Sequence, residues 1–362
     1  MRTNDQPAAD ASGAFKPLQR DYQRFLVQGL GRAPQSHCMH ERGYRSGTIN
    51  TDALGLRYSH CSGKRFSVAE RGGRTRVNLL VGGSTALGLG ASSDEHTVAS
   101  CLSMLTGEIW LSLAGCGLNA TQELMTFLTH QHRFGEVGHV VLLSGLNTLA
   151  HEGLSEILAG DRNPLASNPL NGFHEGVQRS EQARRESLWQ RLGQALAPRR
   201  GPRPLAIERL SSPDKRLIRA ADSIGRTLRQ WDRLIADTDT TLTFILQPLL
   251  PWCRESLSQA EQTMLAGLDD KPADFDQLLS GVHDSQMHTA FFRRIKSQAD
   301  PVPCYDMNSM LSSSPVFHEN LFVDRLHFND LGNNALAKVI TAKLGLAQEK
   351  HANRRLSAIK LV

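Results

Sequence analysis

The sequence predicts a doubly wound three-layer α/β/α sandwich on a parallel sheet of about five strands, and three observations lead there. From Arg76 onward, short apolar runs alternate with amphipathic stretches, as expected of strands buried on both faces and joined by crossover helices. Each of the first three runs gives way to glycine, the punctuation of a strand ending in a tight turn. Hydrophobic residues at 40% and charged residues at 21% over 362 positions describe an ordinary globular chain with a sizeable core.

The first strand is Val77-Asn78-Leu79-Leu80-Val81, ending in Gly82-Gly83-Ser84. A helix is expected over His96 to Leu105, then a second strand over Glu108 to Leu113. Ala120 to His132 is helical because Leu124, Phe127 and Leu128 share a face. His139 to Ser144 is the third strand and Thr241 to Leu246 the fourth, the latter rich in β-branched and aromatic residues and closed by Gln247-Pro248. Val302 to Asp306 reads as a fifth strand, demoted to an edge by Pro303. A last helix over Asp330 to Leu344 turns Leu336, Val339 and Ile340 inward.

These elements define a domain over residues 49–348. An N-terminal extension, partly disordered, precedes it over residues 1–48, and a tail follows over residues 349–362. Between the third and fourth strands, residues 150–239 form a helical insertion or cap, with loops at 163–172 and 198–204 and helices around Leu188 and Leu217. From Arg179 to Arg233 there are fourteen Lys/Arg against six Asp/Glu, which makes the net charge of +5 a local property. An anionic partner is the occupant such a basic surface would suit, although helices carry such charge for solubility alone. No apolar run is long enough to span a membrane. The N-terminus lacks the apolar stretch of a secretory signal, so the expected compartment is cytoplasmic. Six scattered cysteines (Cys38, Cys61, Cys101, Cys116, Cys253 and Cys304) are expected as free thiols.

Ligands of doubly wound folds lie at the carboxyl ends of the strands. Ser84 stands there, between a strand and a helix, among small residues in Gly82-Gly83-Ser84-Thr85-Ala86-Leu87-Gly88. Such a serine is placed to attack, and equally to serve as a turn or cap. Near the C-terminus, Asp324-Arg325-Leu326-His327 sets a carboxylate one turn ahead of a histidine. A carboxylate at that spacing orients an imidazole and stabilises its cation. Gly117 follows the second strand and Asn147 the third; a backbone N–H and an amide both donate to a developing oxyanion, and both residues also suit plain turns.

In the order Ser, Gly, Asn, then Asp-x-x-His, the chain resembles the SGNH (GDSL-like) hydrolase superfamily, a flavodoxin-like fold. Gly83-Ser84 resembles the first block in a Gly-Gly-Ser-Thr form, with Gly83 where the better-known block has aspartate. Gly145-Leu146-Asn147 resembles the third block, with Thr148 in place of its usual aspartate, and Asp324 with His327 the last. Gly115 and Gly117 both lie in the second block, and the spacing to Asn119 and Gln122 selects Gly117. Ile49 to Arg57 resembles a leader found ahead of the first block in many members. The resemblance implies acyl transfer without metal or cofactor. Ser84 is the nucleophile, His327 its base and Asp324 the orienting carboxylate, with Ser84, Gly117 and Asn147 forming the oxyanion hole. The expected substrate is a small-molecule ester or acylated metabolite. An O-acyltransferase of the same type, acting on a sugar, peptide or metabolite, is the alternative within enzymes, and a binding protein on the same scaffold the alternative outside them.

Two other clusters have simpler readings. His37, Cys38, His40, His60 and Cys61 are soft ligands, but their spacing departs from the common zinc patterns and assigns them to packing or surface. His283, Asp284 and His288 read as one polar helix face.

Overall fold

The computed structural model describes residues 21–22, 24–26, 40–70, 76–158, 211–254, 256–269, 279, 281–282, 285–312 and 320–346. A small hairpin comes first, β1 (Ser59–Cys61) paired antiparallel with β2 (Lys64–Phe66). Its two-residue turn, Ser62-Gly63, has positive φ at both positions, matching the twist of the flanking strands.

The main sheet holds β3 (Val77–Gly82), β4 (Trp110–Ala114), β5 (Val137–Ser144), β6 (Thr241–Leu246) and β7 (Cys304–Asp306). All are parallel, in the order β4-β3-β5-β6-β7. The helices are α1 (Ser84–Leu87), α2 (Val98–Thr106), α3 (Ala120–His130), α4 (Leu146–Leu158), α5 (Pro213–Ile235), α6 (Leu250–Cys253), α7 (Gln259–Asp269), α8 (Ser285–Ala299), α9 (Met307–Ser312) and α10 (Asp330–Lys343).

Alternation along the strands divides the interior in two. Leu79, Val81, Leu111, Leu113, Val140 and Leu142 meet α3, α4, α5 and α8 on one face. Leu80, Trp110, Val141, Leu143 and Ile245 meet α1, α2, α9 and α10 on the other. Helices on both faces of a five-stranded parallel sheet make the three-layer α/β/α sandwich expected from the sequence. No helix among the described residues is long and apolar enough to cross a membrane.

The proline at 303 leaves β7 three residues long at the edge of the sheet, as its missing N–H requires. The insertion expected over residues 150–239 is divided differently. Residues 150–158 continue α4, and Pro213–Ile235 form α5, a covering helix of the sandwich. Leu217, Ala220, Ala221, Ile224, Leu228, Trp231 and Ile235 are its buried residues, recurring at three- and four-residue steps. Part of the basic surface is spent on packing: Arg216 is buried, Arg229 donates to the carbonyl of Gln298, and Asp222 holds Arg294 at 2.7 Å. Residues 159–210, including Leu188, the two expected loops and Arg179 to Arg209, lie outside the described residues, as do residues 349–362.

Residues 40–48, expected within the N-terminal extension, pack on the core. His40 and Tyr44 are buried, and the Phe25 ring lies tilted against the first and edge-on to the second. Cys61, Cys101, Cys116, Cys253 and Cys304 are buried free thiols, while His37, Cys38, His283 and Asp284 lie outside the described residues. His288 does not sit on a polar face. It shares the buried side of α8 with Phe291 and Ile295 and pairs with Asp306 at 2.9 Å, its ring stacked on Trp252.

Glu123 of α3 is fully buried beneath the end of β5, where the Ser144 hydroxyl donates to its Oε1 at 2.5 Å. Burial pushes its pKa up to about 8 against a weaker downward pull from Ser144. A carboxyl raised in the folded state favours folding fully below its unfolded pKa, and that contribution is lost as pH rises toward about 8. Glu123→Gln, neutral at every pH, should therefore change Tm little near pH 5 and raise it near pH 8. The difference amounts to a few kcal/mol at most, at about 1.4 kcal/mol per pKa unit. Thermal unfolding across that range checks this; a Tm difference that does not widen with pH refutes it.

Candidate active site

The turn after β3 brings Ser84 to the carboxyl end of the sheet. At Gly82, φ is +154°, and a Cβ would lie 2.1 Å from the Leu143 carbonyl oxygen, so only glycine lets β3 pass β5 at this point. Gly83 precedes α1 with no side-chain cap, so the first-turn N–H groups are not taken by a capping side chain. Ser84 begins the helix.

Asp324 and His327 lie in the loop before α10. The His327 ring bridges Ser84 and Asp324, with Nε2 2.7 Å from Ser84 Oγ and Nδ1 2.6 Å from Asp324 Oδ2. Asp324 Oδ1 also accepts the backbone N–H groups of Leu326 and His327, each at 2.7 Å. Partial burial pushes the Asp324 carboxyl up. The charge of His327 and the hydrogen bonds from its ring and the two backbone groups outweigh that and hold it below the ordinary carboxylate value. The loop itself is tied to the serine turn. The hydroxyl of Thr85 donates to the Leu326 carbonyl at 3.1 Å and accepts from Gln247 Nε2 at 3.2 Å. Sequence reasoning gave Thr85 and Gln247 no role, and no local signal was there to find, since their partners lie 241 and 162 residues apart.

Gly117 and Asn147 stand on the other side. In the loop between β4 and α3, the N–H of Gly115 goes to the Gly82 carbonyl and that of Cys116 to His40 Nε2. Leu118 N–H goes to Gly115 O, Asn119 N–H to Gln122 Oε1 and Ala120 N–H to Thr148 Oγ1. Among the described residues, the N–H of Gly117 meets no acceptor, and its φ of +73° turns the chain there. Gly115, the other glycine of this block, has already spent its donor. Asn147 Nδ2 donates to the Leu118 carbonyl at 2.9 Å, and a Cβ on residue 83 would lie 2.3 Å from that nitrogen. The amide is thus held between the Leu118 carbonyl and the backbone of Gly83, and among the described residues its second hydrogen meets no acceptor. The glycine that stands where aspartate is better known makes room for this amide. Thr148, the other departure, caps the first N–H of α3.

Of the soft-ligand clusters, His40 is a hydrogen-bond acceptor in the core, His60 is partly exposed and Cys61 is buried. Among the described residues, no three His, Cys, Asp or Glu side chains stand together as a metal site.

No family model matches the chain, and no curated protein matches it. Solved structures do. A crystal structure of the acetyl xylan esterase AlAXEase is similar over 74% of this chain and 98% of its own, at 10% identity and a TM-score of 0.40. The lipase Lip_vut3 from a goat rumen metagenome is similar over 74% and 97%, at 11% identity and a TM-score of 0.39. A candidate SGNH hydrolase from Slackia heliotrinireducens is similar over 75% and 99%, at 10% identity and a TM-score of 0.36. The α/β/α architecture stands on the chain's own sheet and helices.

Proposed function

We propose that this chain is a serine-dependent ester hydrolase of the SGNH type, working through an acyl-enzyme on Ser84. The observation that carries the reading is the continuous hydrogen-bonded line from Ser84 through His327 to Asp324 at 2.7 and 2.6 Å. His327 Nε2 takes the Ser84 proton as Oγ attacks the ester carbonyl, and Asp324 fixes the ring with its Nδ1 proton facing the carboxylate. The carbonyl oxygen gains charge and is met by the N–H groups of Ser84 and Gly117 and the free hydrogen of the Asn147 amide. On collapse, the imidazolium returns its proton to the departing alkoxide. A water or second hydroxyl then gives its proton to His327 and takes the acyl group, restoring Ser84.

The test is reaction with a fluorophosphonate followed by peptide mapping, run beside burst kinetics on a chromogenic short-chain ester. The expected results are one adduct, on Ser84, and a burst of one equivalent. A burst-free enzyme labelled elsewhere would refute the reading, and product analysis with added alcohols identifies the acyl acceptor.

The amide geometry gives a second expectation. Asn147→Ala should lower kcat by about 10²- to 10³-fold with little change in KM, because its free hydrogen meets charge that exists only in the transition state. Steady-state kinetics on the same ester decide it; a change confined to KM would make Asn147 a ground-state contact.

A further inference from the structure

We propose that His40, far upstream of the motifs, is a positioning residue for the oxyanion loop. Resting on the acyl-enzyme reading above, the inference concerns how the donor at Gly117 is kept available. His40 Nε2 accepts the Cys116 N–H at 3.0 Å, one residue before Gly117. An imidazole nitrogen accepts only when it carries no proton, so the ring is neutral with its hydrogen on Nδ1. Only 3% of the residue is exposed, the Phe25 ring lies 4.5 Å from its own, and Gly55 packs so closely on its backbone that a Cβ there would fall 2.3 Å from the His40 carbonyl oxygen. The acceptor is therefore held from several sides.

Its consequence follows from the donors of the loop. At residues 115, 116, 118, 119 and 120 each N–H has an intramolecular acceptor, and at 117 it has none among the described residues. Most of these acceptors belong to the serine turn, the loop itself or α4. His40 alone is brought in from the segment before β1. Without it the buried Cys116 N–H would lose the acceptor that Nε2 provides at 3.0 Å, a loss that rotation of the adjoining peptides would relieve. Those peptides carry the Gly117 N–H, so relief at Cys116 is misalignment at Gly117.

A second imidazole steadies the same loop from α4. His151 is 8% exposed, with Asn119 Nδ2 3.5 Å from its Nδ1 and the backbone of Gly117 close enough to raise its pKa. Burial pushes its pKa down to about 4, despite that upward pull from Gly117, so it stays neutral through the working range of an esterase. The loop lies between two uncharged rings, one from each side.

The experiment compares His40→Leu, which removes the acceptor, with His40→Gln, whose Oε1 reaches the place of Nε2. Turnover is normalised to burst-titrated sites, so a failure of the acyl-enzyme reading would show as absence of the burst in the unaltered protein. We expect His40→Leu to lower kcat about 10- to 30-fold at nearly constant KM, a fraction of the loss from deleting a donor outright. His40→Gln should return kcat to within about threefold of the unaltered protein. If His40→Leu does not fold, His40→Asn, too short to reach Cys116, replaces it. Equal losses in the acceptor-bearing and acceptor-free variants, or a lower Tm with kcat per site unchanged, would overturn the proposal.

Discussion

Ser84→Ala should abolish fluorophosphonate labelling and lower ester turnover by roughly 10⁴-fold or more, the largest effect expected of any single change in this chain. The substitution removes one oxygen from the first residue of α1, where alanine is a good helix former. The Gly82 turn, the Thr85 contact to Leu326 and the bonds of the Gly115–Ala120 loop do not involve the Ser84 side chain. Tm should accordingly stay within a few degrees of the unaltered protein, separating loss of chemistry from loss of fold. Ester hydrolysis by the purified variant, with its adducts mapped by mass spectrometry, is the measurement. Undiminished labelling would move the nucleophile elsewhere.

Asp324→Asn should come close behind, with a fall in kcat of about 10³- to 10⁴-fold. Asparagine keeps an oxygen for the two backbone N–H groups that Asp324 Oδ1 now accepts, so the loop has reason to keep its shape. What changes is the atom facing His327 Nδ1. An amide NH₂ there favours a lone pair on Nδ1 and a proton on Nε2, which leaves Ser84 facing a donor where it needs a base. Losing the negative charge also disfavours the imidazolium, so the acid limb of the kcat/KM profile should move to lower pH. Because the folded pKa of Asp324 is depressed, its stabilising contribution holds above the unfolded carboxylate value and fades as pH falls through the folded one. The variant should consequently lose less Tm on acidification. Rate and unfolding profiles over roughly pH 3 to 9 read both effects, and a variant with wild-type kcat would exclude Asp324 from the site.

The core strands were legible because burial on both faces writes itself as a run that is mostly apolar, broken in Val77 to Val81 only by Asn78: Val77 to Val81 and His139 to Ser144 are found within a residue or two of their expected bounds. Start points slipped where a cap decided them. The helix expected from His96 begins at Val98 because the Thr97 side chain accepts the Ser100 N–H and ends the preceding turn. The hairpin of β1 and β2 was missed since three-residue strands such as Lys64-Arg65-Phe66 are too short to show a period. In α5 the apolar stripe that seats the helix on the sheet is interleaved with arginines, which masks it in the one-dimensional pattern. For the site, the strand end at Ser84 and the one-turn spacing of Asp324 and His327 are local signals that the order of motifs in the resemblance joins, and the three side chains do meet in the structure. The His40 contact with Cys116 spans 76 residues and joins residue types with no shared motif, so nothing in the one-dimensional pattern marks it.

The bond between Ser84 and His327 joins positions 243 apart, and the Thr85 tie to Leu326 spans almost as much. On the ribosome, the serine turn and the strands of the main sheet emerge before the loop that carries His327. Over that interval the nascent chain carries Ser84 without the imidazole that meets it in the folded domain. On the acyl-enzyme reading proposed above, reactivity toward esters would be withheld until that loop and α10 have docked, α10 against α2, so the onset of ester hydrolysis would mark the completion of this domain's folding rather than its beginning.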